Sequence, residues 1–312
     1  MPGTVNLRSI DLNLLVALEA LIKEGQVTRA AQRIGLSQPA MSGALRRLRQ
    51  IFGDPLLIRT ASGMQPTPRA LALSGPLQQS LRQIERLFEA DRIFDPAAST
   101  RTFTLRMSDL LELLLLPPLL AKLEAAAPTL GLDIVHLSPE GTIEALGDNG
   151  IDLAVSTGLR HSRAIRSEVL FTDRMVCLMR RDHPAARRKL TLDAFLALRH
   201  MKVSMSPTDS RFVDNVLAGM KRTRAVRLNV PHWLVVPQVL RRTDLVAVMS
   251  ERAAAAFDDE AILRRDLPFA SRAFTWCLYW HRRTDDERAC RWLRDRVREA
   301  AGAIGTGTGR PE

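Results

Sequence analysis

The side chains best suited to specific recognition lie on one face of a helix predicted to begin near Gln38. Met41, Leu45 and Leu48 recur at spacings of four and three residues, which is the buried stripe of an amphipathic helix. The positions left exposed or flanking are Gln38, Ser42, Gly43, Arg46, Arg47 and Arg49. Amide and hydroxyl groups can hydrogen-bond the edges of bases, and guanidinium groups can bond guanine or phosphate. This face therefore favours a nucleic-acid partner.

The elements predicted around this face would hold it at a surface. A first amphipathic helix is predicted to end at Gly25, with its apolar stripe at Leu12, Leu15, Leu18 and Ile22. A second helix is predicted from near Thr28, whose hydroxyl can cap free backbone amides, to Gly35. Ser37 can cap the third helix, and Pro39 fits its first turn, where a missing amide hydrogen costs nothing.

The segment after the third helix predicts a small β-hairpin. Residues 54–67 contain short β-prone runs around a Ser62-Gly63 turn, and Arg59 would lie beside a bound backbone. Two helices, a tight turn and a hairpin indicate a winged helix-turn-helix. A simpler interpretation is open, because an Arg-rich amphipathic helix is often only a solvated surface and two helices with a glycine turn occur in many folds.

Bulk composition narrows the class of protein. At 312 residues, the chain is long enough for two or three domains with cores of their own. Its 46% hydrophobic and 25% charged residues are typical of a globular protein. Lys and Arg total 45 against 34 Asp and Glu, and the resulting charge of +11 favours a polyanionic partner, either nucleic acid or an anionic membrane surface.

Neither a membrane span nor an oxidising compartment is predicted. The most apolar stretch, residues 110–123, is interrupted by Glu112, two prolines and Lys122, so it is predicted to be a buried helix. The cysteines show no metal or disulfide spacing at Cys177, Cys277 and Cys290. We expect reduced thiols in a cytoplasmic protein that has no membrane partner.

Runs of sequence in about the first quarter of the chain resemble one protein family. The run AAQRIGLSQPAMSGALRRLR, followed by DPLLIRT and MQPTPRA, resembles the N-terminal domain of LysR-type transcriptional regulators. The lead-in LRSIDLNLLVALEAL is similar to the branch that includes the nodulation and aromatic-catabolism regulators. Gly43 departs from the pattern, since many members carry arginine there, and a base preference therefore does not transfer from them.

The resemblance implies a set of DNA contacts. Positions that match Gln38, Pro39 and Ser42 face the major groove in that family. Positions that contact the DNA backbone match Thr28, Arg59 and Thr67. With the other polar groups around the third helix, the predicted DNA-binding residues are Thr28, Ser37, Gln38, Pro39, Ser42, Arg46, Arg47, Arg49, Arg59 and Thr67.

Residues 66–91 predict a linker helix. An apolar repeat with spacings of four, four, three and four approaches a coiled-coil seam, at Leu73, Leu77, Leu81, Ile84 and Phe88. An ordinary core helix fits the same pattern, whereas the resemblance implies a helix that pairs with that of a second copy. The Gly75-Pro76 pair predicts a bend or a restart of this helix.

The rest of the chain predicts an α/β architecture with two lobes. Short β-branched or apolar runs alternate with helical ones, an order that favours parallel sheets covered by helices. Crossings between the lobes are predicted near residues 170–173 and 268–272, and the resemblance implies a hinged, periplasmic-binding-protein-like effector domain. The predicted domains are 1–65 for the winged helix-turn-helix, 66–91 for the linker (dimerisation) helix, 92–302 for effector binding, with lobe I at about 100–170 and 270–302 and lobe II at about 171–269, and 303–312 for a disordered tail.

An effector site is predicted where the strands of the two lobes end. Parallel sheets bind small molecules at the carboxyl ends of their strands, close to helix N-termini. The predicted contacts are Ser108, Asp109, Ser138, Ser156, Arg174, Met205, Ser206, Thr208, His232 and Trp233. We prefer Ser108, Ser206, His232 and Trp233 among them. Each serine or threonine also fits an ordinary helix cap, and Arg174 fits either an acidic ligand or a surface ion pair.

The sequence contains no motif that indicates catalysis. GxSxG, HExxH, a Walker loop and a GxGxxG after a strand are all absent, and the six histidines are scattered. We therefore predict that the chain is not an enzyme and has no cofactor and no metal.

These patterns predict a ligand-responsive, sequence-specific DNA-binding transcriptional regulator of a gene cluster, with catabolic genes as one hypothesis. It would bind double-stranded promoter or operator DNA as a homodimer that assembles into a homotetramer. Its effector would be an aromatic compound or an organic acid. The alternative is a non-specific DNA-organising protein whose C-terminal lobes serve only oligomerisation. A third possibility, an enzyme fused to a DNA-binding module, lacks a catalytic constellation.

Overall fold

The computed structural model describes residues 11–60, 63–89, 94–204, 212–257, 259–271 and 273–305. The chain divides into two compact units, unit 1 at residues 1–92 and unit 2 at residues 93–312. Three predicted effector contacts lie outside the described residues: Met205, Ser206 and Thr208.

Unit 1 contains three short helices, a hairpin and a long helix. They are α1 (Asn13–Glu24), α2 (Val27–Arg33), α3 (Gln38–Phe52), β1 (Leu57–Thr60), β2 (Gly63–Pro66) and α4 (Pro68–Glu89). The strands pair antiparallel, with Leu57 opposite Pro66 and Thr60 opposite Gly63. This is the winged helix-turn-helix that the sequence predicts, followed by the long helix.

Local sequence explains where the helices of unit 1 end. Gly25 closes α1 with a left-handed backbone, φ 58°, and donates its amide to the Leu21 carbonyl at 3.0 Å. The Ser37 hydroxyl caps α3 by accepting from the Ala40 amide at 3.3 Å. The turn that separates α2 from α3 is therefore fixed at its second end by a side chain.

Two details of unit 1 differ from expectation. Helix α2 begins at Val27 after an extended Gln26, so Thr28 lies inside the first turn and the predicted Thr28 cap is wrong. Helix α4 is continuous through Pro76, so the helix does not restart at that proline. A proline inside a helix removes one backbone hydrogen bond, and the rest of α4 tolerates that loss.

The apolar repeat of α4 packs within its own unit. Leu77 is buried, and Leu73 and Leu81 are partly buried against the cluster formed by α1, α2 and α3. Leu71, which lies outside the predicted seam, is 59% exposed. Leu73, Leu77 and Leu81 of the predicted seam therefore pack inside their own unit, as the residues of an ordinary core helix do.

Unit 2 alternates strands and helices. In its first part are β3 (Thr102–Arg106), α5 (Asp109–Ala126), β4 (Gly131–Val135), α6 (Pro139–Gly147), β5 (Leu153–Thr157) and β6 (Ile165–Asp173). Then follow β7 (Met175–Arg180), α7 (Leu192–Leu196), β8 (Arg199–Val203), α8 (Phe212–Gly219), β9 (Ala225–Val230), α9 (Val236–Leu240), β10 (Leu245–Ser250), α10 (Glu251–Ala256) and β11 (Ile262–Arg265). The chain ends with β12 (Phe274–His281) and α11 (Arg288–Gly305), so the predicted tail from residue 303 begins too early.

Two five-stranded sheets define the lobes. The first has the order β4-β3-β5-β12-β6, and the second has the order β11-β7-β10-β8-β9. β3 pairs parallel with β4 and β5, and β8 pairs parallel with β9 and β10. β12 and β7 run antiparallel to their neighbours, so the expectation of parallel sheets is corrected to mixed sheets. These two strands are the ones that receive the chain after it crosses between lobes, without the helical crossover that parallel pairing needs.

A buried apolar cluster runs through both lobes. It includes Phe103 and Leu105 from the first sheet, Leu178 and Met201 from the second, and the buried leucines of α5. Helix α5 packs against both α10 and α11. Among the described helices, none is long and apolar enough to span a membrane.

Candidate functional site

The α3 face of unit 1 exposes the groups predicted to bind DNA. Gln38, Pro39 and Arg46 are exposed and Ser42 is half-buried, while Met41 on the opposite side is fully buried. The face is defined here as Gln38, Pro39, Ser42 and Arg46. An amide, a hydroxyl and a guanidinium group can therefore meet a macromolecule without disturbing the core.

The cations around this face differ in their partners. Arg47 lies 3.8 Å from the Asp11 carboxylate, and both side chains are exposed. Arg46 and Arg59 are exposed and form no ion pair with any residue that the structure describes. A phosphate would meet no competing carboxylate at Arg46 or Arg59. Of the other predicted contacts, Thr28 is exposed on α2 and Ser37 caps α3.

Two predicted DNA contacts hold the base of the hairpin. Arg49 donates from Nε to the Pro55 carbonyl at 2.8 Å and from Nη2 to the Leu57 carbonyl at 3.1 Å. The buried Thr67 hydroxyl donates to Oδ1 of Asp54 at 2.6 Å. That hydrogen bond, together with one from the Leu56 amide, lowers the pKa of Asp54. Arg49 and Thr67 are thus occupied in positioning the hairpin.

Unit 2 contains a cavity of about 820 Å³ at the carboxyl ends of strands from both sheets. This volume is in the range of small-molecule sites, which is about 300–1,000 Å³. Five of the predicted effector contacts line it: Ser108, Asp109, Ser138, Ser156 and Trp233. The Ser138 hydroxyl caps α6 by accepting from the Gly141 amide at 3.1 Å, as the capping alternative anticipates.

Two other predicted contacts do not line the cavity. Arg174 forms ion pairs with Glu251 and, at 2.7 Å, with Asp266, and these hydrogen bonds raise the pKa of its guanidinium. It is therefore the surface ion pair that was the alternative. His232 is exposed, and the next residue, Trp233, lines the cavity whereas His232 does not.

The cavity also has cationic residues that the sequence prediction missed. Arg106 and Lys202 line it and are buried. Arg224 also lines it, with a side chain that is 3% exposed and ion-paired to Asp214 at 2.8 Å. Arg106 is the last residue of β3 and Lys202 lies next to Met201 and Val203 in β8, and a basic residue beside apolar strand residues is the sequence signal that could have found them. Buried positions favour apolar residues, so a buried charge requires an explanation.

The Arg106 side chain is held by hydrogen bonds to backbone carbonyl oxygens. Its Nε and Nη2 donate to the Leu137 carbonyl at 3.1 and 2.6 Å, and its Nη1 donates to the Val155 carbonyl at 3.4 Å. The side chain forms no ion pair with the described residues. Burial lowers the pKa of its guanidinium, because a low-dielectric environment disfavours the charged form.

Asp109 and Asp173 accept hydrogen bonds from residues of the cavity wall. Asp109, the first residue of α5, accepts the Trp233 amide hydrogen on Oδ2 at 2.5 Å. Asp173, at the crossing between the lobes, accepts from Trp276 Nε1 at 3.3 Å and from the Ser250 hydroxyl. Trp233, Trp276 and Ser250 all line the cavity. The lobe crossing is thus hydrogen-bonded directly to residues that a ligand would touch.

Metal and thiol chemistry have no support in the described residues. No three His, Cys, Asp or Glu residues there are grouped as metal ligands. The three cysteines are buried, and burial raises the pKa of Cys177 to about 12. A thiol with such a pKa is protonated and unreactive at neutral pH.

Two family models match the two units. Residues 12–71 match the model of the bacterial regulatory helix-turn-helix protein of the lysR family. Residues 97–302 match the model of the LysR substrate binding domain. The matches cover the α3 face and the cavity respectively.

Relatives match this chain over most of their own length. The chain is 34% identical over 291 residues to the HTH-type transcriptional activator NahR of Pseudomonas putida, covering 93% of this chain and 97% of NahR. It is 37% identical over 306 residues to the HTH-type transcriptional regulator SyrM of Rhizobium etli, covering 97% of this chain and 89% of SyrM. Among solved structures, the probable transcriptional regulator PA0477 from Pseudomonas aeruginosa superposes with a TM-score of 0.77 at 34% identity, covering 93% of this chain and 97% of that one.

Proposed function

The chain belongs to the LysR family of transcriptional regulators and is a ligand-responsive DNA-binding regulator, and from this premise we propose which residues perform each task. The α3 face reads promoter or operator DNA, and the cavity of unit 2 binds the effector. The observation that carries the DNA assignment is the position of the exposed Gln38 and Arg46 and the half-buried Ser42 opposite the buried Met41. Those three side chains are free to reach a groove while the helix stays packed.

The DNA-binding task divides between base and backbone contacts. Gln38, Pro39 and Ser42 contact base edges in the major groove, because their amide, ring and hydroxyl lie at the start of α3. Backbone contacts come from Thr28, Ser37, Arg46, Arg47 and Arg59. Arg49 and Thr67 act through the hairpin that they hold in place.

Residues 66–91 pair two copies of the chain. The exposed Leu71 on α4 supports this, since an apolar side chain that is 59% exposed is covered when two helices associate. A homodimer presents two α3 faces to two half-sites, and the dimer assembles further into a homotetramer. The regulated target is a gene cluster, and the protein acts in the cytoplasm, where that DNA is found.

The effector is a small organic molecule bound between the lobes, and the chain catalyses no reaction. The cavity volume, its aromatic walls, the buried Arg106 and Ser156 and the half-buried Asp109 support this assignment. Ligand contacts with residues of both sheets would favour a closed arrangement of the lobes, which is how a binding event changes the activity of the regulator.

Band-shift titration of the full-length protein against a panel of promoter fragments tests the DNA assignment. We expect a small number of fragments to bind at least about a hundredfold more tightly than the rest, within the range of specific protein–DNA recognition. The Gln38→Ala protein should lose most of that preference and keep its affinity for non-preferred fragments. Equal binding of all fragments would support the rival function, a non-specific DNA-organising protein.

A further inference from the structure

Arg106 places a positive charge in the wall of the cavity that no carboxylate among the described residues compensates. The residue is 6% exposed, and within the described part of the chain its side chain hydrogen-bonds the carbonyl oxygens of Leu137 and Val155 and nothing else. Carbonyl oxygens satisfy donors and carry no net charge. A buried guanidinium in a protein is normally paired with an anion, because leaving the charge alone in a low-dielectric environment is costly.

Asp109, close to Arg106 in sequence, does not supply that anion. No ion pair joins the two side chains among the described residues, and Oδ2 of Asp109 is occupied by the Trp233 amide. Oδ1 of Asp109 is buried and accepts no hydrogen bond from the part of the chain that the structure describes. Counting only the residues that the structure describes, the same cavity wall has a cation without an anion and a carboxylate oxygen without a donor.

We propose that the effector is a carboxylic acid that also carries a hydroxyl or amino group, with its carboxylate bound by Arg106 and its hydrogen-bond donor bound by Oδ1 of Asp109. The proposal rests on the effector role of the cavity argued above. The geometry assigns the two groups of the ligand to two neighbouring sites at the junction of β3 and α5. A guanidinium fork suits a planar carboxylate, and a charged acceptor suits either an O–H or an N–H donor.

This arrangement explains why the cavity retains a buried charge at the end of β3. Burial makes the environment of the Arg106 guanidinium unfavourable for its charge and lowers its pKa. A bound carboxylate would relieve that cost, whereas a neutral amide of the same shape would not. The site should therefore select acids over amides, because an amide would leave the buried charge of Arg106 without an anionic partner.

The test uses matched pairs of small molecules on the full-length protein. The probes are benzoate, the hydroxybenzoate and aminobenzoate isomers, phenyllactate and phenylalanine, each beside its primary amide. Isothermal titration calorimetry should detect binding by acids and at least about tenfold weaker binding by the corresponding amides. Amides that bind as tightly as their acids would overturn the proposal, and so would a panel in which no acid binds.

Substitution of Arg106 ties the acid preference to one side chain. Arg106→Met should weaken acid binding about 10- to 100-fold, the usual loss for a charge-assisted hydrogen bond pair. Arg264→Met is the matched control, because Arg264 is an exposed strand residue that does not line the cavity. Arg106→Lys keeps the charge should the methionine variant fail to fold, and it should retain the preference for acids. Acid binding that is unchanged in Arg106→Met or Arg106→Lys lacking that preference would contradict the assignment.

Substitution of Asp109 tests the second half of the proposal. In the unsubstituted protein, the best hydroxy or amino acid should bind about tenfold more tightly than benzoate, the contribution of one hydrogen bond to a charged group. In Asp109→Asn that advantage should fall to about twofold or less, because an amide nitrogen replaces the acceptor oxygen. A preserved advantage would remove Asp109 from the site. Comparison of hydroxy with amino members shows which donor the site takes.

A third variant separates this proposal from the function on which it rests. Trp233→Ala alters the cavity wall without touching either polar group of the ligand. If amides bind as tightly as acids and lose affinity in Trp233→Ala, the ligand class is wrong and the effector cavity stands. If probes bind and none is affected by changes at Arg106, Asp109 or Trp233, the cavity is not the effector site.

Discussion

The α3 face and the effector cavity differ in how far apart their recognition groups lie along the chain. Gln38, Ser42 and Arg46 belong to one helix, whereas the cavity brings together Arg106 of β3 and Trp276 of β12. On α3, Gln38 and Arg46 are exposed and Ser42 is half-buried, whereas Arg106 and Trp276 of the cavity are buried. A solvated helix face can therefore change its contacts at little cost to stability, while in the cavity recognition and folding depend on the same hydrogen bonds.

The largest effect should come from removing the core that supports α3. Met41 is fully buried, so Met41→Ala should lower the stability of unit 1 by about 2–5 kcal/mol through lost contacts and a residual cavity. Differential scanning calorimetry of the full-length protein should show an earlier transition for unit 1 and an unchanged one for unit 2.

Gln38→Ala is the control for that experiment, because its side chain is exposed and its loss should change stability by less than about 0.5 kcal/mol. Met41→Ala should weaken binding to all DNA fragments as unit 1 unfolds, whereas Gln38→Ala should lose the preference among fragments and keep its affinity for non-preferred ones. If Met41→Ala shifts both transitions equally, the two units do not unfold separately and the contrast between them fails.

The next largest effect should be that acidic pH destabilises unit 2 more than unit 1. All six histidines follow residue 135, so unit 1 has none, while His200 of unit 2 is fully buried. Its Nε2 lies 2.8 Å from the Phe195 carbonyl, its Nδ1 has no partner among the described residues, and burial lowers its pKa to about 4. The unfolded chain binds a proton near its ordinary pKa of about 6.5, so the stabilisation from neutral His200 is complete above that pH.

That stabilisation is lost as the pH falls from about 6.5 to about 4, with a total on the order of 3 kcal/mol. Urea unfolding at a series of pH values should show this slope for unit 2 and a flatter profile for unit 1 in the same window. His200→Gln should remove the slope, and the exposed His232→Gln should leave it unchanged. A slope that survives in His200→Gln would assign the acid sensitivity to another group.

Loss of one phosphate contact is a smaller effect. Arg46 is exposed and forms no ion pair among the described residues, so Arg46→Ala should weaken DNA binding about tenfold without changing stability. The dependence of log affinity on log salt should become shallower by about one, since one fewer counterion is released.

Arg33→Ala provides the comparison for Arg46→Ala, because Arg33 is paired with Glu24 at 3.2 Å and its side chain is 39% exposed. Fluorescence anisotropy across a salt series measures both variants. An unchanged salt slope in Arg46→Ala would show that this guanidinium does not contact phosphate.

The difference between the two regions also explains what could be predicted from sequence. The helices of unit 1 follow from local signals, such as Gly25 after α1 and Ser37 before α3, and the periodicity of α3 distinguishes its buried side correctly. The cavity depends on which strands become neighbours, and strand direction has no local signal. The prediction therefore placed Ser108 and Trp233 at the cavity and missed Arg106, the last residue of β3, because only the neighbouring strands show that its side chain is buried there.

Local signals also fail where one side chain has two possible uses. Arg49 and Thr67 have the right chemistry for DNA, yet both are held by hydrogen bonds at the hairpin base. Arg174 has the right charge for an acidic ligand, yet Glu251 and Asp266 lie within reach. Sequence shows what a group can bind, and only the folded chain shows which partner is nearer.

The smallest expected effect has the opposite sign and concerns Gly43 in α3. A Cβ at this position would meet nothing within 4 Å, and the residue lies inside the helix, where glycine costs about 0.5–1 kcal/mol relative to alanine. Gly43→Ala should therefore stabilise unit 1 by about that amount in the calorimetric scan.

Gly25→Ala is the contrasting variant and should destabilise unit 1. Gly25 has a left-handed backbone, and a Cβ added there would lie 3.2 Å from the Met64 carbonyl oxygen. If Gly43→Ala stabilises the helix and leaves the preferred promoter fragments unchanged, the glycine lowers the stability of α3 and has no part in recognising DNA. If the preference changes, the absence of a side chain at Gly43 is itself part of how the α3 face reads DNA.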